Sequence, residues 1–380
     1  MLNDKLKLNT KLFNPDVEQA PIRQGFGEGL LQAGIENENI VALCADLTES
    51  TKMNLFAEKF PKRFIEIGVA EQNLASVASG MSAMGKIPFI SSYAMFSPGR
   101  NWEQIRTTIC YNDRKVVIAG SHAGISVGPD GGTHQAVEDL ALTRVIPNMV
   151  VISPCDAIEA KKATIASAQT KEPTYIRLAR EKTPIITTEE TPFEIGKAQI
   201  VFVPEIGIAD VGIIATGALV HKAILSAKEL ETKGIKVKVM NLATIKPLDR
   251  DTIIALAKET KALVTVEEHQ IIGGMGSAVA ECLAQNYPVP IEFIGVHDVF
   301  GQSGTPIELL EHYGMGVSHI QDEGITQRQM GSKCPRCFCL YFYKFTFTSK
   351  TINCGDIDEN SYNVSAVART RDVLSRILPW

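Results

Sequence analysis

The chain has 380 residues, of which 45% are hydrophobic and 21% charged, with 29 glycines and 18 prolines. That length accommodates two or three domains with cores of their own, and the composition excludes wholesale disorder, collagen-like repeats and an all-helical coiled coil. The formal charge of −5 gives no basic footprint for nucleic acid, and no apolar run reaches the roughly 18 residues that a membrane helix needs. The opening MLNDKLKLNTKLFN lacks the apolar core of a signal peptide, so a cytoplasmic protein with neither nucleic-acid nor membrane partners is expected.

From Val17 to Arg180 short aliphatic runs alternate with amphipathic stretches, the rhythm of βαβ units around a mainly parallel sheet. In chain order, QAPIRQGFGEGLLQAGIE reads as a helix, NIVALCADL as a strand, EQNLASVASGMSAM as a helix and KIPFISSY as a strand. NWEQIRTTICY, THQAVEDLALTRV and DAIEAKKATIASAQ follow as helices, separated by the strands RKVVIAGS and MVVISP and closed by the strand PTYIRLA. The stretch EKTPIITTEETPFE, rich in Thr and Pro, is a linker. Beyond it the strands DVGIIATG, IKVKVMNLA, ALVTVEEH and PIEFIGV alternate with the helices HKAILSAKELETKG, DRDTIIALAKET and GMGSAVAECLAQN. The fold class is therefore α/β, with two mainly parallel α/β domains over residues 1–185 and 196–325, and an atypical tail, poorly ordered, over 326–380.

Cys44, Cys110, Cys155 and Cys282 stand singly in apolar stretches and read as buried thiols. Cys334, Cys337, Cys339 and Cys354 crowd into the tail, near the aromatic run from Phe338 to Phe347. CPRCFC could hold zinc, but a second ligand pair at ordinary spacing is missing, and an extraneous, aggregation-prone end is the favoured account. A further helix is possible at ARTRDVLSRIL.

Candidate chemistry lies in three segments. FIEIGVAEQN ends a strand and opens a helix with Glu71 in its first turn, where a carboxylate either complements the helix dipole or does chemistry. Tyr93 and Phe96 stand just beyond a strand end, the place where open α/β sheets bind ligands. SHAGISVGPDGGTHQ sets His122, Asp130 and His134 among glycines that can bring backbone close to a ligand. Two imidazoles and a carboxylate suit a polyhydroxylated substrate or proton transfer near neutral pH. No further ligand lies at zinc spacing, so no metal site is assigned to the chain.

EIGVAEQN, FISSYAMFSPGRNWEQIR and SHAGISVGPDGGTHQAVEDLALTRVIPNMVVISPCD resemble the pyrimidine-binding domain of transketolase, and GGMGSAVAE resembles its C-terminal domain. The resemblance runs from about Gln19 to about Gly316. The N-terminal diphosphate-binding domain, with its GDG motif, is absent from the chain, as from the C-terminal subunit of a split transketolase. Such a subunit would be inactive alone.

The resemblance implies ketol transfer from a ketose phosphate to an aldose phosphate, as in the pentose phosphate pathway. Thiamine diphosphate would be the cofactor, with Mg2+ or another divalent cation held mainly by an N-terminal partner subunit. The partners would be that subunit, a second copy through the pyrimidine domains, giving a heterotetramer, and sugar phosphates. Glu71 would hydrogen-bond the cofactor's aminopyrimidine and activate it, with Tyr93 and Phe96 stacking beside the ring. Asp46 would lie near the cofactor, or else act as an ordinary helix N-cap. His122, Asp130 and His134 would line the substrate channel, His122 and His134 among the catalytic residues, while Arg180 would clamp the phosphate. Arg177 is either a second functional cation or a solvated strand-end charge. Gly99 replaces an aromatic that some relatives carry. Deoxyxylulose-phosphate synthase and the 2-oxoacid dehydrogenase beta subunit share the plan and are the alternatives. GGMG reads as a structural turn before a helix, with the second domain serving mainly assembly.

Overall fold

The computed structural model describes residues 1–332; the CPRCFC motif, the aromatic run and the helix expected at ARTRDVLSRIL lie outside them. The first stretch contains β1 (Gln19–Pro21), α1 (Ile22–Glu36), β2 (Ile40–Cys44), α2 (Asn54–Lys59), β3 (Phe64–Glu66) and α3 (Glu71–Ala83). There follow β4 (Ile87–Tyr93), α4 (Trp102–Gln104), which runs on as a π-helical turn over Ile105–Cys110, β5 (Val117–Ser121) and α5 (Asp139–Arg144). β6 (Val150–Ile152), α6 (Ala157–Gln169), β7 (Thr174–Arg177) and β8 (Lys182–Pro184) complete it. The second stretch contains β9 (Gln199–Phe202), β10 (Val211–Ala215), α7 (Val220–Thr232), β11 (Val237–Asn241), β12 (Thr244–Lys246) and α8 (Arg250–Thr260). β13 (Leu263–Gln270), α9 (Met275–Asn286), β14 (Ile291–Val296), α10 (Pro306–His312) and α11 (Val317–Ser332) close it.

Two sheets result. A seven-stranded sheet has the order β12-β6-β7-β5-β4-β2-β3, and a five-stranded sheet the order β14-β13-β10-β11-β9. Each is parallel apart from one antiparallel edge strand, β12 in the first and β9 in the second, and each carries helices, so this is an α/β fold. β2, β5, β6, β7 and β10 are buried at every position, as expected of parallel strands covered on both faces. The glycines of QGFGEGL serve helix packing: a Cβ on Gly25 would lie 1.8 Å from the Ala157 carbonyl oxygen of α6.

Three features of the chain path were not expected. β12 follows the second sheet's β11 in sequence but pairs with β6 of the first sheet. Residues before β1 lie against the second sheet, where the Asn3 amide donates to the Val201 carbonyl (3.1 Å) and Leu8 and Leu12 join its core. Thr133–Glu138, expected to open a helix, is not helical. Tertiary hydrogen bonds outbid helical ones there: Gln135 Nε2 donates to the carbonyls of Ile125 (3.0 Å) and Gln302 (2.9 Å), and the Val137 carbonyl accepts from the Gln270 amide (2.8 Å).

Cys44, Cys110, Cys155 and Cys282 are buried free thiols. No described helix is long and apolar enough to cross a membrane.

Candidate active site

Glu71 is the first residue of α3 and is only 4% exposed. Both of its carboxylate oxygens accept from Arg100 Nη1, at 3.0 and 3.2 Å. The loop after β4 is arranged around it, with Asn101 Nδ2 donating to the Glu71 carbonyl (2.9 Å) and to Ser97 Oγ (3.2 Å). The Arg100 guanidinium also lies 4.1 Å from the Phe96 ring centroid. A cation over an aromatic face and against a carboxylate is held by both. Gly99 permits this turn, since a Cβ there would fall 1.9 Å from the Met95 carbonyl oxygen. An aromatic side chain at 99 is sterically excluded.

Beside this acid lies an aromatic and imidazole cluster. Tyr93, ending β4, stacks on His122 with ring centroids 3.8 Å apart and on Phe96 at 6.0 Å. His134 meets Phe96 edge-on at 5.5 Å. His122 follows β5 with φ +58°, a conformation uncommon outside glycine and often found at functional sites. Its Nδ1 lies 2.8 Å from Ser121 Oγ, and its Nε2 lies 3.5 Å from Arg23 Nη1. Arg23 in α1 carried no sequence signal. It donates to the carbonyls of Ser50 (2.5 Å) and Arg180 (3.2 Å).

Arg180 donates to the Val127 carbonyl (2.6 Å) and sits 3.9 Å from the Asp130 carboxylate. Burial depresses the Arg23 pKa, and Arg180 lowers it further by charge repulsion. Two neighbouring guanidiniums beside an imidazole concentrate positive charge and hydrogen-bond donors, the chemistry that suits an anionic group. Burial first, then Arg23, Arg180 and His134, push His122 down to about 3.

The free chain therefore keeps His122 neutral. A histidine depressed from about 6.5 contributes stability that is present above pH 6.5 and lost as pH falls through about 3. In ring-selective NMR the His122 resonances should stay flat between pH 8 and 5; a midpoint near 6.5 contradicts this packing.

Asp46 follows β2 with φ +57° and is exposed. It does not cap α2, whose N-cap is Met53. Its amide and that of Gly68 instead donate to Glu66 Oε1, at 2.7 and 2.8 Å. Glu66, which was not singled out in the sequence, thus ties the turns after β2 and β3 together.

Arg177 is not a solvated cation. Fully buried, it pairs with Asp139 through Nε (2.9 and 3.1 Å) and donates to the carbonyls of Ala136 (3.2 Å) and Glu268 (2.8 Å). The glycine cluster after β13 is a structural turn: the buried Glu267 carboxylate accepts from the amides of Met275 (2.6 Å) and Gly276 (2.8 Å) at the start of α9.

The glycines around His122 and Asp130 admit protein. A Cβ on Gly124 would meet the Glu268 carboxylate at 2.4 Å, on Gly131 the Ser303 hydroxyl at 2.6 Å, and on Gly132 the Gly301 carbonyl at 2.6 Å. The loop is pressed against the second α/β unit, which accounts for glycine at those three positions.

Glu71, Tyr93, Phe96, His122 and Arg180 thus gather where strands of the first sheet end, the ligand-binding edge of an open α/β sheet. Residues 18–185 match the family described as transketolase, pyrimidine binding domain, and residues 206–320 the family described as transketolase, C-terminal domain.

A Methanocaldococcus jannaschii protein named "Putative transketolase C-terminal section" is 46% identical over 302 residues, covering 79% of this chain and 93% of its own length. The 6-deoxy-6-sulfo-D-fructose transketolase subunit SqwH of Clostridium sp. (strain MSTE9) is 39% identical, covering 81% and 94%. A solved structure titled "Split gene transketolase, inactive beta4 tetramer" superposes with TM-score 0.76 at 44% identity, over 82% of this chain and 99% of that one. The chain belongs to the transketolase family.

Proposed function

We propose that this chain is the C-terminal subunit of a split transketolase, which moves a two-carbon ketol unit from a ketose phosphate to an aldose phosphate once an N-terminal subunit joins it. The observation that carries the reading is a half-built site: the buried Glu71 and the Phe96 ring, both against Arg100, with His122, Arg23 and Arg180 clustered nearby. A buried carboxyl group beside aromatic rings fits an aminopyrimidine, whose ring nitrogen accepts one hydrogen bond and whose face takes a stacking surface. Thiamine diphosphate, when bound, supplies the carbon nucleophile that carries the two-carbon unit.

The chain's own residues then divide the work. Glu71 hydrogen-bonds the ring nitrogen of the aminopyrimidine, with Tyr93 and Phe96 orienting the ring and excluding water. Arg100, which occupies both Glu71 and the Phe96 face in the free chain, moves aside. Neutral His122, with His134, accepts and donates hydrogen bonds to sugar hydroxyls, and Arg23 and Arg180 hold the terminal anion. Asp130 orients Arg180, and Asp46 lies at the partner-facing edge. In this reading the divalent cation and the diphosphate are held mainly by the partner subunit. The solved relative described as an inactive beta4 tetramer supports self-association and inactivity of the lone subunit.

Co-purification with an N-terminal partner should give thiamine-diphosphate-dependent ketol transfer from xylulose 5-phosphate or a sulfonated ketose, and the lone chain none. Activity with pyruvate alone as donor would instead mark a deoxyxylulose-phosphate-synthase-like or 2-oxoacid dehydrogenase reaction.

A further inference from the structure

Just before its last residue, Gln270, β13 carries three consecutive buried ionisable residues, Glu267, Glu268 and His269. Side chains alternate between the faces of a strand, and the first two have different partners. Glu267 holds the start of α9. Glu268 accepts the Ser126 amide at 2.5 Å, in the loop that connects His122 to His134.

We propose that Glu268 is a positioning residue: through its carboxylate the second α/β unit sets the shape of the 122–134 loop and so places both imidazoles. Five observations converge. Glu268 is 3% exposed, so its carboxylate must find partners within the protein. Any side chain at Gly124 would displace it. Its own carbonyl is held by Arg177 (2.8 Å), whose guanidinium also binds the Ala136 carbonyl just beyond the loop (3.2 Å). Gln135, Ser303 and Gly301 close the far end of the loop against the same unit. Arg180 reaches the loop from the other side, through the Val127 carbonyl, one residue from the amide that Glu268 takes. The loop is thus gripped at adjacent positions by Arg180 and a carboxylate of the second unit. The second unit is then a part of the substrate wall.

The kinetic part of this inference rests on the transketolase reading; the structural part does not. In the isolated chain, hydrogen exchange over 122–134 should speed up about 10- to 100-fold in Glu268→Ala, the range of a lost charge-assisted hydrogen bond. Glu268→Gln, which keeps an acceptor oxygen, should stay within about threefold of wild type. In the complex with the N-terminal subunit, Glu268→Ala should lower kcat/KM for the ketose phosphate about 10- to 100-fold through KM, with thiamine diphosphate Kd changed less than about twofold. Unchanged exchange in Glu268→Ala, exchange raised uniformly over the chain, or unchanged kcat/KM in an active complex overturns the proposal. A wild-type complex inactive on every ketose phosphate defeats the transketolase reading instead, while the exchange result still decides the role of Glu268.

Discussion

Replacing Glu71 by alanine should lower ketol transfer by the assembled enzyme about 10²- to 10⁴-fold, the contribution of a positioned proton-transfer group. Thiamine diphosphate binding should weaken as well. The variant should fold, because Glu71 opens α3 and its one ion-pair partner, Arg100, has a side chain 50% exposed, where such pairs contribute little. The measurement is steady-state transfer at saturating cofactor, beside calorimetric titration of thiamine diphosphate. Activity within about threefold of wild type excludes the carboxylate from the chemistry. Glu71→Gln retains a hydrogen-bond acceptor and still loses activity if the group must exchange a proton.

The largest stability effect should come from the Asp139–Arg177 pair. Both side chains are almost wholly buried, at 1% and 7% exposure, and Tyr175 donates its hydroxyl to the same carboxylate at 2.7 Å. Burial and the neighbouring carboxylate push the tyrosine hydroxyl well above its ordinary value, so it stays a donor. Removing Arg177 leaves a buried carboxylate without its counter-charge and takes a donor from the Ala136 and Glu268 carbonyls, of which Ala136 keeps the Gly124 amide (2.8 Å). Arg177→Ala should therefore cost about 3–5 kcal/mol, read from urea denaturation of the isolated chain. The double variant Asp139→Asn/Arg177→Met should cost less than the sum of the single changes, because no uncompensated charge remains. A loss of about 0.5 kcal/mol or less for Arg177→Ala, the range of an ordinary surface change, contradicts the buried arrangement.

The sequence carried the parts of the site that are local. Glu71 stands in a strand-to-helix turn, Tyr93 and Phe96 follow a strand end, and His122 and His134 share one loop, so pattern and motif located all five. Arg23 and Glu268 escaped because folding alone brings them in: Arg23 lies 99 positions from His122, and Glu268 lies 142 positions from Ser126. Each looks locally like an ordinary helix or strand residue. The loop's glycines were legible as close approach, but the body approaching is the second α/β unit. Arg177 was misjudged because a charge at a strand end is ordinarily solvated, whereas here Asp139 and two carbonyls enclose it. The alternation of strands and helices foretold the central strands of both large sheets, but neither the edge strand β9 nor β12. The latter, three residues long, owes its place to pairing with β6 rather than to any pattern of its own.

The exchange of chain between the two sheets makes the linker a poor place to cut. A fragment ending at residue 185 would lose β12 and expose Val150, Val151 and Ile152 of β6 as an apolar open edge, the kind that recruits strands from other molecules. The complementary fragment would lack the N-terminal arm that lies along β9 and fills its core with Leu8 and Leu12. The two units are interleaved and must be inherited together.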